Sequence, residues 1–169
     1  MTKCPRGRPK GSGGGAVAVL TPEDIRQVLR AARDSGRYSG RAEIALRLSI
    51  QLGLRAGELV TLKTRDLVDN RGHLRRELSF NSRGLARKLP LSSPELRRAL
   101  ADFCERHLNP HAPDDSVFAS QRKGALTRAS LARLLTSVYK RTGICGGSSR
   151  SGRRTSALSS EFFKTGGRS

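Results

Sequence analysis

The chain has no tryptophan, two tyrosines, five phenylalanines and one methionine in 169 residues, so any core must be assembled mainly from aliphatic side chains. Acids are also scarce: 14 Asp and Glu stand against 33 Lys and Arg, a formal charge of +19. No apolar run approaches the ~20 residues of a membrane-spanning helix, and the N-terminus lacks an apolar signal region. The expectation is a soluble, intracellular protein with no membrane partner. Cysteine is limited to Cys4, Cys104 and Cys145, without CxxC or a histidine at zinc-ligand spacing, which argues against a disulfide framework and structural zinc. A phosphate-cradling GxxxxGK[ST] is missing and the acids are scattered, so no metal, nucleotide or other cofactor is expected.

What the chain does have is arginine, 26 of them against seven lysines. A planar guanidinium offers two parallel donors to a phosphate, where an ammonium offers only a point charge. Composition therefore makes nucleic acid the leading partner. The length suits one domain with an arm or two, and the boundaries read as follows. Residues 1–19 form a flexible basic arm, since MTKCPRGRPKGSGGG has neither acid nor apolar period to offset the entropy of ordering. Residues 20–156 form the folded domain, and residues 157–169 a disordered or aberrant tail.

Within the folded part, Thr21-Pro22-Glu23-Asp24 is an N-cap followed by proline and two acids, and Ile25, Val28, Leu29 and Ala32 then share one helix face. The helix ends near Asp34-Ser35-Gly36. A second helix is predicted over 41–52, with Ile44, Leu48 and Leu52 on one stripe and Gly53 as its breaker. A short helix holding Leu59 and Leu62 follows. The period then falls to two over residues 74–80 and again over 87–91, separated by Asn81-Ser82-Arg83-Gly84, which predicts an antiparallel hairpin. Ser93-Pro94-Glu95 opens a helix with Leu96, Leu100 and Phe103 inward, closed by Asn109-Pro110. A short Val117-Phe118 strand and a helix marked by Leu131, Leu134, Leu135 and Val138 complete the pattern. From Gly143 onward no strong apolar stripe recurs.

The order helix, helix, Gly53-Leu54-Arg55-Ala56-Gly57-Glu58-Leu59, hairpin, helix, helix, Ser148-Ser149-Arg150-Ser151-Gly152-Arg153-Arg154-Thr155 resembles the catalytic domain of tyrosine recombinases, the phage integrase family. The resemblance implies an α+β fold, mostly helical with a small antiparallel sheet and incomplete at the C-terminus. It implies site-specific DNA recombination and integration, with Arg55 and Arg153 clamping the scissile phosphate and Glu58 supporting them. By residue chemistry alone, Arg55 and Glu58 could equally form an i,i+3 surface pair worth about 0.2–0.5 kcal/mol. A pentavalent phosphoryl transition state needs its non-bridging oxygens neutralised, which two guanidiniums can do.

The departures from the family pattern are equally specific. Arg150 stands at the family's histidine position and cannot exchange a proton near neutrality. Ser82 occupies the position of the hairpin lysine that protonates the leaving oxygen. Of the nearby cations Arg83 and Lys88, only Lys88 could act as an acid, and it reads equally well as a solvated charge. The third box and the nucleophilic tyrosine would lie downstream of Arg153, so this reading expects a truncated chain unable to cleave alone. Tyr38 and Tyr139 lie upstream as packing or rim residues, and His73, His107 and His111 read as surface residues.

In the arm, Pro5-Arg6-Gly7-Arg8-Pro9-Lys10 resembles an AT-hook, whose narrow Arg-Gly-Arg enters the minor groove where A·T pairs deepen the negative potential. Its plain alternative is a cationic tail adding counterion-release affinity. Arg83, Arg87 and Arg154 are further candidates for DNA contact. The partners implied are double-stranded DNA, AT-rich if the hook operates, and other recombinase protomers. The expected location is cytoplasmic, with the nucleoid. Alternative readings are a recombinase that borrows a tyrosine from a partner chain, and a catalytically inert AT-rich-DNA-binding or nucleoid-like basic protein.

Overall fold

The computed structural model describes residues 17–36, 39–82, 84–120 and 124–165. Two compact units divide the chain: Met1–Arg55 together with Ala132–Ser169, and Ala56–Leu131.

In the first unit, α1 (Pro22–Arg33) begins as its sequence dictates. The Thr21 hydroxyl accepts the Asp24 N–H at 3.2 Å while the Asp24 carboxylate accepts the Thr21 N–H at 2.9 Å, a reciprocal cap with proline next in line. Val28 and Ala32 are buried against α2 (Ser39–Leu52). The single stripe expected for α2 is too narrow. Ala42, Ile44, Ala45, Leu46, Leu48 and Ile50 are all buried, whereas Leu52 is only half-buried, because α2 is a central helix covered on several sides. Gly53, at φ +71°, ends it with its N–H on Ser49 O at 3.1 Å, a left-handed cap that a side chain would strain.

Burial of α2 extends to charge. The Arg47 guanidinium, 9% exposed, donates to Glu43 at 3.0 Å, and Arg33 from α1 donates to the same carboxylate oxygen at 2.9 Å. Burial alone would raise the Glu43 pKa; the hydrogen bonds from Arg33 and Arg47 outweigh it and hold the carboxyl below its usual value. Glu43→Gln should therefore cost about 1–3 kcal/mol at neutral pH, since it leaves Arg47 buried without its counter-charge. Because the folded pKa is the lower one, this stabilisation is complete above the unfolded value near 4.3 and fades as pH falls through the folded value. Urea titrations at pH 7 should separate wild type from variant, and the gap should shrink in acid.

α6 (Arg128–Thr142) runs from the second unit into the first, where Leu135, Val138 and Tyr139 are buried. After the turn at 143–150, the chain enters α7 (Ser151–Thr165), which packs on α2. This helix crosses the expected boundary at residue 157. Its contact surface consists of small and hydroxyl residues, with Ser151, Gly152 and Thr155 buried, so apolar periodicity does not reveal it. The Thr155 hydroxyl also accepts the Leu20 N–H at 2.9 Å, which ties α7 to the segment before α1.

The second unit contains α3 (Ala56–Leu59), α4 (Thr64–Leu67), β1 (Glu77–Ser82), β2 (Leu85–Pro90) and α5 (Pro94–His107). The strands pair antiparallel, with Phe80 opposite Arg87 and Ser79 opposite Lys88. Leu78 and Phe80 face the core with Leu59, Leu62, Leu67, Leu96, Leu100 and Phe103. Ser93 caps α5 by accepting the Leu96 N–H at 3.3 Å. Two expectations change here. α4 has no counterpart in the sequence pattern. Val117 and Phe118, although buried, form no strand: they sit between isolated bridges at Lys63–Ser116 and Ala119–Ala125, with the Val117 N–H on Leu62 O. Cys104 is free and buried.

Candidate nucleic-acid interface

The end of α2 and the start of α7 meet through residues too small to hold them apart. A Cβ on Gly152 would lie 2.6 Å from Ser49 Oγ and 3.0 Å from Ser49 Cβ; one on Gly53 would lie 3.1 Å from Ser156 Oγ. Ser49 and Gly53 are four apart on one element, Gly152 and Ser156 four apart on the other, so two small residues on each side interlock at one-turn spacing. Arg55 follows Gly53 by two residues and Arg153 follows Gly152 by one, and both are exposed. Arg55 thus lies just past the end of α2 and Arg153 in the first turn of α7. The interlocking pairs are present in the sequence as Ser49-x-x-x-Gly53 and Gly152-x-x-x-Ser156, but small residues carry little signal until both helices are known.

Arg150, Arg153 and Arg154 all lie at the N-terminal end of α7 and are exposed, with no acid in its first turn. The local backbone is tied by Ser148, whose N–H donates to Ser151 Oγ at 3.0 Å and whose hydroxyl accepts the Arg150 N–H at 3.3 Å. Cations at a helix N-terminus oppose its dipole by about 0.3–1 kcal/mol each, and like charges three apart add to the strain. An anion at this end reverses both terms.

Tyr139 lies beneath the same turn. It is 1% exposed, and its hydroxyl is close to the Gly152 N–H without reaching hydrogen-bond geometry. Burial pushes its pKa well above the ordinary phenol range, a shift the Gly152 N–H opposes only weakly. A phenol buried this deeply is out of reach of a DNA phosphate. Tyr38 lies outside the described residues.

In the second unit, Glu58 is 14% exposed and its carboxylate is 3.5 Å from the Arg87 guanidinium, which also sits 5.8 Å from the centre of the Phe80 ring. Arg87 is therefore on the inward face of the hairpin. Strand parity sends Lys88 to the other face, where it pairs with Glu77 at 3.0 Å. The expected hairpin acid thus points away from Glu58 and Arg87. Arg83 and the arm residues Arg6, Gly7, Arg8, Pro9 and Lys10 lie outside the described residues. His73, His107 and His111 are exposed, with His107 packed on Phe103 at a ring separation of 4.8 Å. Among the described residues no cluster of metal-ligating side chains occurs, and no helix is long and apolar enough to cross a membrane.

No curated protein sequence matches this chain. Among solved structures, XerA recombinase superposes with a TM-score of 0.70 at 22% identity, over 95% of this chain and 54% of that one. XerH site-specific recombinase, solved bound to its difH substrate before cleavage, gives 0.67 at 20% identity, over 87% and 43%. The lambda integrase catalytic core gives 0.63 at 21% identity, over 86% and 84%. The chain thus spans about half the length of XerA and shares its α+β fold, mostly helical around a two-stranded antiparallel sheet. Residues 18–159 match the sequence profile of the phage integrase family, and the chain belongs to that family.

Proposed function

We propose that this chain grips the backbone of double-stranded DNA as an integrase-type recombination core, with Arg55 and Arg153 holding one phosphate and Arg150 and Arg154 adding charge beside it. The observation that supports this reading is the α2–α7 packing, Ser49 against Gly152 and Gly53 against Ser156, with exposed Arg55 and Arg153 each following one of the packed glycines closely in the chain. Glu58, paired with Arg87, is proposed as the supporting acid that follows Arg55 in the same motif. Lys88 is left out of the set, because its ion pair with Glu77 engages it on the opposite strand face.

The chain is proposed to bind without cleaving by itself. Tyr139 is buried, so strand cleavage would need a different tyrosine, such as one supplied by another protomer. A nicked suicide duplex tests this directly: the chain alone should bind it and form no covalent 3′-phosphoprotein. Recovery of such an adduct would make the chain a complete cleaving enzyme, and failure to bind duplex DNA would remove the reading altogether.

The arm adds a separate element, a minor-groove hook at Arg6-Gly7-Arg8-Pro9-Lys10 that would hold the protein on A·T-rich DNA of the nucleoid. Arg6→Ala with Arg8→Ala should then weaken binding to an AT-rich duplex several-fold more than to a GC-rich one, measured by fluorescence anisotropy. An equal loss on both would make the arm a plain cationic tail.

A further inference from the structure

We propose that the Ala56–Leu131 unit carries a second phosphate-gripping surface, formed by Arg65, Arg75 and Arg97, for the sugar-phosphate backbone of duplex DNA. These residues come from α4, from the segment before β1 and from the first turns of α5. They are remote in sequence and joined in space. Arg97 donates to the backbone carbonyl of Arg75 at 3.2 Å, Arg75 donates through Nε to the carbonyl of Arg65 at 2.8 Å, and Arg65 pairs with Asp114. Lys63 shares that same Asp114 oxygen at 3.2 Å.

Exposed arginines ordinarily point into solvent and keep their rotamer freedom, which binding must then remove. Here each guanidinium is already pinned by a neutral carbonyl or a shared acid, so that cost is met before a ligand arrives. The pinning is incomplete in a useful way. A guanidinium has five N–H donors, and Arg75 and Arg97 each spend one on these carbonyls. The other N–H donors of each are left for a phosphate oxygen pair. Charge points the same way: Lys63 and Arg65 share one carboxylate, Asp114, itself 67% exposed, while Arg75 and Arg97 are held by backbone carbonyls. A backbone carbonyl orients a guanidinium without neutralising it, so the surface stays cationic.

The choice of DNA, and not an acidic protein, rests on the reading proposed above; the surface itself does not involve Arg55 or Arg153. The test measures binding of the full chain to a mixed-sequence duplex over a range of salt concentrations. Arg65→Gln, Arg75→Gln and Arg97→Gln are combined, because glutamine can still donate to the carbonyls while losing charge. The slope of log affinity against log salt should become shallower by about 0.9 for each phosphate that is no longer neutralised, thus by roughly 1.8–2.7 if the surface holds two or three phosphates. The same reduction should appear when Arg55→Ala and Arg153→Ala are already present, so failure of the clamp and failure of this surface are read separately. The triple lysine variant should keep most of the slope yet bind several-fold more weakly, having charge without forks. Single Arg75→Gln, with a slope shallower by about 0.9, serves if the triple glutamine variant does not fold. An unchanged slope in these glutamine variants overturns the proposal. So does polyglutamate that binds the wild type and not the glutamine variant while DNA binding stays equal, since the surface would then serve an acidic protein.

Discussion

Gly152→Val should be among the most damaging single substitutions in this protein, lowering stability by about 3 kcal/mol or more in a urea or thermal melt. In an exposed helix, replacing glycine usually helps: alanine in its place gains about 1 kcal/mol of helix propensity. At this position the sign reverses. The first atom added would lie 2.6 Å from Ser49 Oγ, 3.0 Å from Ser49 Cβ and 3.2 Å from Ile50 Cγ1, all on a central helix that is itself buried and cannot retreat. Valine adds two further carbons to the same crowded place. Even Gly152→Ala should therefore destabilise, by about 1–3 kcal/mol, and Ser49→Gly in the same chain should recover part of that loss by removing both nearest atoms. A Gly152→Ala protein as stable as wild type would mean that α2 and α7 do not pack as described. Because Arg153 is the next residue, the same substitution should also weaken DNA binding, and the double variant should restore stability and binding together.

Much of the fold was legible because local chemistry and tertiary placement agree. Thr21-Pro22-Glu23-Asp24 can do little except start a helix, Gly53 can end one, and Ser93-Pro94 can start another, and each does so. The hairpin was visible from its alternation and turn residues, with only its ends displaced. Where reading failed, the controlling force was non-local. Val117 and Phe118 look like a strand because they are apolar and branched or aromatic, but their backbone is spent on the Leu62 carbonyl and flanking bridges. α7 looks like a tail because its packing depends on the absence of side-chain bulk, a quantity that hydrophobic periodicity does not register. The site divides in the same manner. Arg55 and Arg153 are singled out by motif alone, whereas the strand face that Lys88 occupies follows from the pairing register. Arg65, Arg75 and Arg97 have no common spacing to betray that one leans on the carbonyl of the next.

Replacing both Arg55 and Arg153 with alanine should reduce affinity for duplex DNA by roughly tenfold or more, the effect of removing two charge-assisted hydrogen-bonding groups of about 1.5–3 kcal/mol each, partly offset by the remaining basic surface. The reduction should be the same on unrelated sequences, since phosphate contacts position a protein and carry no base code. Salt dependence makes the geometry measurable. Each neutralised phosphate contributes about 0.9 to the slope of log affinity against log salt. If the two guanidiniums grip one phosphate, the double variant should be shallower by about 0.9; if they hold separate phosphates, by about 1.8. The first value is expected from the proposed grip of both guanidiniums on one phosphate. The two single variants should then be non-additive, as either substitution already disables a shared grip. Lysine at each position should retain much of the slope while weakening affinity, because the charge survives and the two-pronged geometry does not. Unchanged affinity and slope in the double alanine variant would place both side chains away from the DNA.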